Sequence, residues 1–203
     1  NYIHLLRKAL AKAGYGDLPV ISANLSGLEA NPGFQVTLPL IRKMISALVY
    51  GDLIMLLANQ TRPYEIAQGA TERVIERQIE RLCAQFEEGR GISNREMRQN
   101  LDQLACEFEA VPVNRTPKVR VGIVGEIYIK YAPLGNNNLE EFLLSEDCEP
   151  VVPGLVDFII FKCDNRVEDH KLYGGRTVEA LGAGVLEKYC RKLQRDMIAA
   201  LKR

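Results

Sequence analysis

The sequence predicts an α/β domain in which a parallel sheet is flanked by helices, a Rossmann- or flavodoxin-like lobe with a helical excursion. The first observation is a β-branched run from Val119 to Val124, which is typical of a central strand buried on both faces. The second is that helix-like and strand-like patterns alternate along much of the chain. The third is a stretch from about residue 65 to 112 that has helical periodicity only. We expect all 203 residues to form one domain.

The N-terminal region predicts a helix followed by a strand. Apolar residues recur at helical spacing from Tyr2 to Ala13, and Gly14 follows where a C-terminal cap belongs. The segment "LPVISANL" (18–25) then predicts a short buried strand that runs out into a polar loop. A helix followed by a strand is typical of an α/β unit.

Residues 39–59 predict a buried helix. Their apolar side chains fall around nearly the whole helical circumference, and a helix of that kind normally lies inside a protein. Gly51 and Asp52 interrupt the apolar pattern, so they either kink the helix or divide it. Pro63 ends it, because proline disfavours helical backbone at the preceding residue.

The helical excursion predicts an antiparallel pair of helices. Each helix has an apolar stripe, and the stripes are Ile75, Ile79, Leu82 and Phe86 in the first and Met97, Leu101, Leu104 and Phe108 in the second. Ser93 and Glu96 form an S-x-x-E capping box at the start of the second helix. We expect a turn at Gly89–Gly91 and both stripes in the core.

The following region predicts a βαβ unit. After the strand at Val119–Val124, Asn138 and Glu141 offer an Asn-x-x-Glu helix start in which Asn138 is the cap. The segment "CEPVVPG" (148–154) then predicts the next strand, parallel to the first. "LVDFIIFKC" (155–163) fits a buried strand or a buried helix, and we favour a helix. A long apolar stripe predicts a C-terminal helix over about 177–203.

Composition limits the classes of partner. The chain has 26 basic and 26 acidic residues, so no strong overall field draws it to nucleic acid. Five scattered cysteines without a C-x-x-C pair are typical of reduced thiols in an intracellular protein. No apolar stretch reaches the ~20 residues that a membrane span needs. We expect a cytoplasmic protein that binds neither nucleic acid nor membrane, and the start at Asn1 indicates a fragment of a longer protein.

Two polar loops lie where open α/β sheets bind ligands, beyond the carboxyl ends of their strands. The first follows the predicted strand at 18–25, and the second joins the strand at Val119–Val124 to a helix. The N-terminus of that helix favours an anion, to which asparagines add neutral donors. The candidate ligand-binding residues are Ser22, Asn24, Ser26, Gly125, Glu126, Asn136 and Asn137.

A purely structural role is also open for the second loop. Asn136 and Asn137 tolerate the left-handed backbone of a turn, and Gly125 permits close packing. Glu126 is more informative, because a carboxylate at the end of an apolar strand is costly to bury unless it is paired or used. A salt bridge to a nearby basic residue such as Lys130 would nevertheless satisfy it.

Motifs for catalysis or a cofactor are weak or absent. No Walker-type G-x-x-x-x-G-K-[S/T] occurs, and "GIVG" lacks the rest of a dinucleotide fingerprint. His4 and His170 are isolated, so neither a zinc site nor a Ser-His pair has a basis. Cys148 and Cys163 are weak candidates for metal ligands, with buried inert thiols as the alternative. Catalytic residues are unknown, and we expect no cofactor in this chain.

Four segments carry a family resemblance: "VISANLSGLEANPGF", "ALVYGDLIMLLANQTRPYE", "VRVGIVGEIYIKYAPLGNNNLEEFL" and "CEPVVPGLVDF". Together they resemble the dehydratase-like region of predicted CoA-substrate-specific enzyme activases. Those proteins are related to 2-hydroxyacyl-CoA (2-hydroxyglutaryl-CoA) dehydratases and benzoyl-CoA reductases. The resemblance covers most of the chain and is most specific from Val121 to Phe142.

The resemblance implies an ATP-driven, low-potential electron-transfer system of anaerobic bacteria that acts on acyl-CoA substrates. In that family an actin-like ATPase activator passes an electron to a component whose cysteines hold an iron–sulfur cluster. This chain matches neither the ATPase motifs nor the cluster-binding cysteine motif. The resemblance therefore implies one α/β lobe of a larger protein, with the iron–sulfur cluster and ATP bound elsewhere in it.

Two functions follow as hypotheses. In the first, the chain is a lobe of a dehydratase-like or activase protein, and Glu126 and the asparagines line the cleft between its domains. In the second, it is a non-catalytic module that binds a ligand or docks another subunit. The expected partners are the other domains of the parent protein, an acyl-CoA ligand, and a dehydratase or activator subunit.

Overall fold

The structure is a computed structural model that describes residues 2–20 and 37–202. Helices hold 71% of these residues and strands hold 5%. The chain divides into two compact units, residues 1–41 and residues 42–203. The prediction of a single domain over 1–203 stays a prediction.

The predicted Rossmann- or flavodoxin-like lobe is wrong. In the described parts of the chain the sheet has two strands, β1 (Val119–Gly122) and β2 (Cys148–Val151), which pair in parallel with Val119 opposite Cys148. A lobe of that type needs a sheet of about five or six strands covered on both faces. The β-branched run indicated such a central strand, yet Val119 is 68% exposed. In a two-stranded sheet each strand is an edge strand, so β1 is not covered as a central strand would be.

The first unit contains the predicted N-terminal helix. Helix α1 spans Tyr2–Lys12, and Gly14 follows it with a positive φ of 86°, which favours glycine. The predicted strand at 18–25 is not formed at Leu18–Val20, and the rest of it lies outside the described residues. The guanidinium of Arg7 donates instead to the carbonyl of Val20 at 3.2 Å.

Helix α2 spans Leu38–Thr61 and runs through Gly51 and Asp52 without a break. It is therefore not divided there. A 3-10 turn follows at Arg62–Tyr64 with Pro63 inside it, so the predicted end of the helix is confirmed. Its buried residues between 45 and 61 include polar as well as apolar side chains, and among them Tyr50 and Asp52 form hydrogen bonds to other elements.

The predicted helical hairpin is confirmed. Helix α3 spans Ala70–Glu87 and helix α4 spans Asn94–Glu109, which begins with both hydrogen bonds of the Ser93–Glu96 capping box. The helices run antiparallel, since Arg77 pairs with Glu107 while Arg81, further along α3, donates from Nη1 to Oδ1 of the earlier residue Asn100 at 2.7 Å. A polar lock fixes the hairpin to α2: Asn100 Nδ2 donates to the Tyr50 hydroxyl at 3.0 Å, and that hydroxyl donates to the carbonyl of Gly91 at 2.7 Å.

The predicted strand–helix–strand order between residues 119 and 151 is also present. Three short helices stand where one was expected: α5 (Ile127–Tyr131), α6 (Pro133–Asn136) and α7 (Leu139–Ser145). Buried Ile123, Leu143 and Val152 form a small core beside the sheet. The buried Glu149 carboxylate of β2 accepts from Arg120 Nε at 3.0 Å and from the Tyr64 hydroxyl at 2.6 Å, which joins the sheet to the 3-10 turn.

The chain closes with two long helices that pack against each other. Helix α8 (Leu155–Tyr173) confirms that "LVDFIIFKC" is helical, and helix α9 (Thr177–Ala200) confirms the C-terminal helix. The apolar stripe of α9 is buried only in its second half, where Leu193 and Met197 lie. In its first half the stripe is exposed, at Val178, Leu181 and Val185.

A buried carboxylate joins α2 to the start of α8. Asp52 is 6% exposed, and its two oxygens accept from the backbone N–H groups of Leu155 and Val156, each at 2.8 Å. These are two of the N–H groups that a helix leaves without partners at its N-terminus, and a negative charge there is favourable. Asp52 therefore caps α8 from another helix.

The same contact requires glycine at position 154. Gly154 has an extended backbone (φ −65°, ψ 150°) that any residue adopts, so no conformational reason demands glycine. A Cβ at that position, however, would lie 2.7 Å from Asp52 Oδ2. The Asp52 carboxylate fills the space that a side chain at position 154 would need, and we call this contact the Asp52 joint.

We expect Gly154→Ala to lower the free energy of unfolding by about 2 kcal/mol, because the added methyl group overpacks the joint. In an Asp52→Ala background the same substitution should have almost no effect, because the clashing atoms are gone. Urea unfolding of the four proteins in this double-mutant cycle measures the coupling. Gly51→Ala is the matched control: nothing lies within 4 Å of its added Cβ, and it should stabilise helix α2. Strictly additive effects of Asp52→Ala and Gly154→Ala would rule the joint out.

The Asp52 joint also predicts a pH dependence. Burial raises the pKa of the Asp52 carboxyl above 3.8, and the N–H groups of Val156 and Leu155 lower it only in part. The folded state therefore holds the proton more tightly than the unfolded state, and the contribution of Asp52 to stability declines as pH rises from about 3.8. The unfolding free energy of the wild type minus that of Asp52→Asn should fall over this range in urea titrations. A difference that grows with pH would contradict it.

Candidate ligand-binding groove

The second predicted loop begins with residues that shape the backbone. Gly125 has a φ of 147°, in the region that favours glycine. Glu126 is exposed, and its Oε2 accepts from the backbone N–H of Tyr128 at 2.9 Å, which caps the short helix α5. The expected cost of burying this carboxylate does not arise, because the strand ends at Gly122 and Glu126 lies at the surface.

The three asparagines do not have the roles in the turn that the sequence predicted. Asn138 was expected to cap the next helix, but its side chain makes no capping hydrogen bond. Instead, Asn136 Oδ1 accepts from the backbone N–H of Leu139 at 3.1 Å. Asn137 and Asn138 both adopt left-handed backbone, with φ of 56° and 55°. Two consecutive left-handed residues carry the Asn138 side chain away from the cap position.

The first predicted loop, with Ser22, Asn24 and Ser26, lies outside the described residues. Its ligand-binding role stays a prediction. Asn136, Asn137, Gly125 and Glu126 are described, and none of the four lines the groove reported below.

The carboxyl edge of the sheet is filled by the protein itself. The helix N-terminus nearest the end of β2 is that of α8, and its first N–H groups already bind Asp52. Tyr131 closes the same region, since its hydroxyl donates to the carbonyl of Pro153 at 2.6 Å. Burial and then the charge of Asp52 raise the pKa of Tyr131 to about 12. A phosphate here would meet an internal carboxylate instead of free N–H donors.

The weak metal candidates lie far from a ligand set. Cys148 is half-buried, and Cys163 is buried between α8 and α9 close to Cys190. Burial raises the pKa of the Cys163 thiol, and it raises that of Cys190 to about 11, so both stay protonated. Within residues 2–20 and 37–202 no three His, Cys, Asp or Glu side chains come together to hold a metal ion.

A groove between α2 and α3 is the concave site that the sequence did not predict. Its volume is about 410 Å³, and Glu140 of α7 also lines it. The apolar residues of its wall include Ile54, Met55, Ile75, Ile79, Leu82 and Phe86. Ile75, Ile79, Leu82 and Phe86 were predicted to be core, but Ile79 is 46% exposed. The groove is apolar surface that α2 and α3 leave uncovered.

The groove has an apolar end and a polar end. At one end the rings of Tyr50 and Phe86 lie 6.0 Å apart between their centroids. At the other end Arg62 Nη2 lies 2.7 Å from Glu72 Oε2. Tyr50 and Arg62 are separated along α2 and its 3-10 extension by roughly 18 Å at helical rise. Asn59 lies one turn before Arg62, in the polar half. A polar residue among the mainly apolar residues of α2 is the feature of the sequence that could have pointed to this groove.

Comparisons of the chain with protein-family models, curated proteins and solved structures find no match. Among the helices of residues 2–20 and 37–202, none has the length and apolar character of a membrane span. The geometry of the groove therefore carries the functional argument.

The different roles of Asn136 and Asn138 are testable with one substitution at each position. Asn136→Gly removes the side chain that caps α7 and should lower the unfolding free energy by about 1 kcal/mol. Asn138→Gly should be neutral or slightly stabilising, because glycine adopts a φ of 55° without strain and no side-chain hydrogen bond is lost. Thermal and urea unfolding compare the two variants. Equal effects at both positions, or a larger loss at Asn138, would contradict the assignment.

Proposed function

We propose that this chain is a non-catalytic helical module that binds a small, mainly apolar molecule in the groove between α2 and α3. The single observation that carries the proposal is the groove itself, with a volume of about 410 Å³ and a largely apolar wall. Small-molecule sites usually enclose about 300–1,000 Å³ and pair an apolar lining with a few polar groups. In this proposal the ligand lies between helices α2 and α3.

The polar groups that line the groove support binding over catalysis. Arg62 is engaged with Glu72, and the Tyr50 hydroxyl is engaged with Gly91 and Asn100. Because these groups already have partners within the protein, we assign them to shaping the groove and holding a ligand. The proposal therefore assigns no catalytic act to this chain.

The family resemblance supports a place for the module in a larger protein. We place it in a 2-hydroxyacyl-CoA dehydratase-like or activase protein of an ATP-driven electron-transfer system. There the iron–sulfur cluster and ATP belong to other parts, and an acyl-CoA is a candidate ligand. The other domains and a dehydratase or activator subunit are the proposed partners. A cytoplasmic location is supported by five free cysteines, which are typical of a reducing compartment.

Subunit docking is the second candidate function. The observation that favours it is the exposed apolar first half of the α9 stripe, where Val178 is 82% exposed and Val185 is 71% exposed. Contiguous exposed apolar surface often marks a protein–protein contact. The two functions use different surfaces and do not exclude each other.

We expect an occupant of the groove to protect Cys83 from alkylation by N-ethylmaleimide. Cys83 is an exposed free thiol that lines the groove, whereas Cys106 is an exposed free thiol on α4 that does not line it. A medium-chain ligand should slow the labelling of Cys83 about tenfold at saturation and leave Cys106 unchanged. The panel of ligands is octanamide, octanoate, octylamine and octanoyl-CoA, and peptide mass spectrometry measures the labelling of each cysteine.

Two glycines supply a blocking variant and its control. Gly51 lines the groove and Gly182 lies on α9, and an added Cβ at either position meets nothing within 4 Å. Gly51→Leu should fill the groove and abolish protection, while Gly182→Leu should preserve it. If no member of the panel protects Cys83 selectively in the wild type, the proposed function is wrong.

A further inference from the structure

One buried amide in the groove has no hydrogen-bond partner among the residues that the structure describes. Asn59 is 4% exposed, it lines the groove, and its Nδ2 makes no hydrogen bond within the described residues. An unpaired buried N–H group costs about 1–3 kcal/mol, and native proteins nearly always supply an acceptor for it. The missing group is therefore an acceptor, such as a carbonyl oxygen.

A single water is the competing acceptor. Asn59 also borders a cavity of about 20 Å³ beside Pro150 and Val151, which has room for about one water molecule. A water there would satisfy the amide without any ligand. The groove is the larger space that Asn59 borders, and it is the one with room for an organic molecule.

The charges of the groove select an uncharged head group. Arg62, Glu72 and Glu140 are the charged residues among the described side chains that line it. Arg62 and Glu72 neutralise each other across 2.7 Å, so Glu140 leaves one net negative charge. Glu140 lies near the polar end, because Leu144, one turn further along α7, shares a second hollow with Arg62 and Glu72. An anionic head would be repelled, and an ammonium head offers nothing that Asn59 Nδ2 can donate to.

The far end of the groove suits an apolar tail. Tyr50 turns its hydroxyl to the carbonyl of Gly91, so the groove receives its ring together with that of Phe86. Between this end and Asn59 the wall is formed by aliphatic side chains such as Ile54 and Ile79. The lining of the groove therefore changes from polar at the Arg62 end to apolar at the Tyr50 end.

We propose that the groove takes an uncharged amphiphile, of the amide or neutral carbonyl class, whose apolar body lies between α2 and α3 and whose oxygen accepts a hydrogen bond from Asn59 Nδ2 after a rotation of the Asn59 side chain uncovers this buried atom. This inference rests on the proposed function of the groove as a ligand site. It adds the chemical class of the ligand and the residue that selects it.

The test compares three probes of equal chain length on the full chain. Octanamide has a neutral head with a carbonyl oxygen, octanoate has an anionic head, and octylamine has a cationic head. Protection of Cys83 and isothermal titration should rank octanamide first, at least tenfold tighter than either charged probe. If octanoate or octylamine binds best, the inference about the head group is wrong while the groove remains a ligand site. If none of the three binds the groove, the inference about the head group is wrong, and if octanoyl-CoA does not bind it either, the proposed function is wrong as well.

Asn59→Leu removes the donor at nearly constant volume and should weaken octanamide binding about tenfold, the loss of one hydrogen bond. The protein should still fold, because the substitution deletes an unpaired polar group, and circular dichroism checks this. Gln60→Leu is the control: a similar amide-to-leucine change on the neighbouring exposed residue, which borders the small cavity but not the groove, should leave octanamide binding unchanged. If Asn59→Leu binds octanamide as tightly as the wild type does, the small cavity's water serves the amide and the inference is overturned.

Glu140→Gln provides a test that gains affinity. Removing the unbalanced charge should tighten octanoate about threefold while it leaves octanamide nearly unchanged. A gain cannot arise from a damaged fold. Octanoate binding that does not respond to Glu140→Gln would contradict the charge argument.

Discussion

The arrangement of this protein depends on one buried carboxylate. The Asp52 side chain projects from the middle of α2 and accepts hydrogen bonds from the first N–H groups of α8. A side chain at position 154 would collide with this carboxylate. Because α8 then packs along α9, and α9 lies against the hairpin of α3 and α4, the direction of the C-terminal helices follows from this single cap. Desolvation makes the charge expensive, and the helix N-terminus with its two hydrogen bonds offsets only part of that cost.

The Asp52 cap also explains why the carboxyl edge of the sheet, where a ligand site was expected, is closed. In an open α/β sheet the carboxyl ends of the strands are free to bind anions. Here the corresponding helix N-terminus is closed from within by Asp52, and Tyr131 seals the turn at Pro153. An apolar groove that a small molecule can enter lies instead between α2 and α3, where α3 leaves part of the apolar wall uncovered. The same helix thus supplies the internal cap and the candidate site.

Much of the helical architecture was accessible from the sequence, because it rests on local chemistry. The Ser93–Glu96 capping box and the stop at Pro63 follow from side chains within one or two turns, whereas the apolar pattern of "LVDFIIFKC" fitted a strand as well as the helix that it forms. The sheet was overestimated, because a β-branched run reports local strand preference and not the number of neighbouring strands. Asn138 was misassigned because left-handed backbone decides which asparagine reaches the cap. The groove was missed because an apolar stripe does not reveal how completely another helix will cover it.

The Asp52 cap has a kinetic consequence. The two ends of this contact are separated by 103 residues along the chain, so the start of α8 gains its partners only after a very long loop has closed. The hairpin of α3 and α4, whose contacts are local, can form long before that closure. The chain is therefore expected to fold from its middle outward, with the C-terminal helices docking last. A chain that lacks α8 has no Leu155 and Val156 N–H groups to bind the Asp52 carboxylate, whose burial is costly without them.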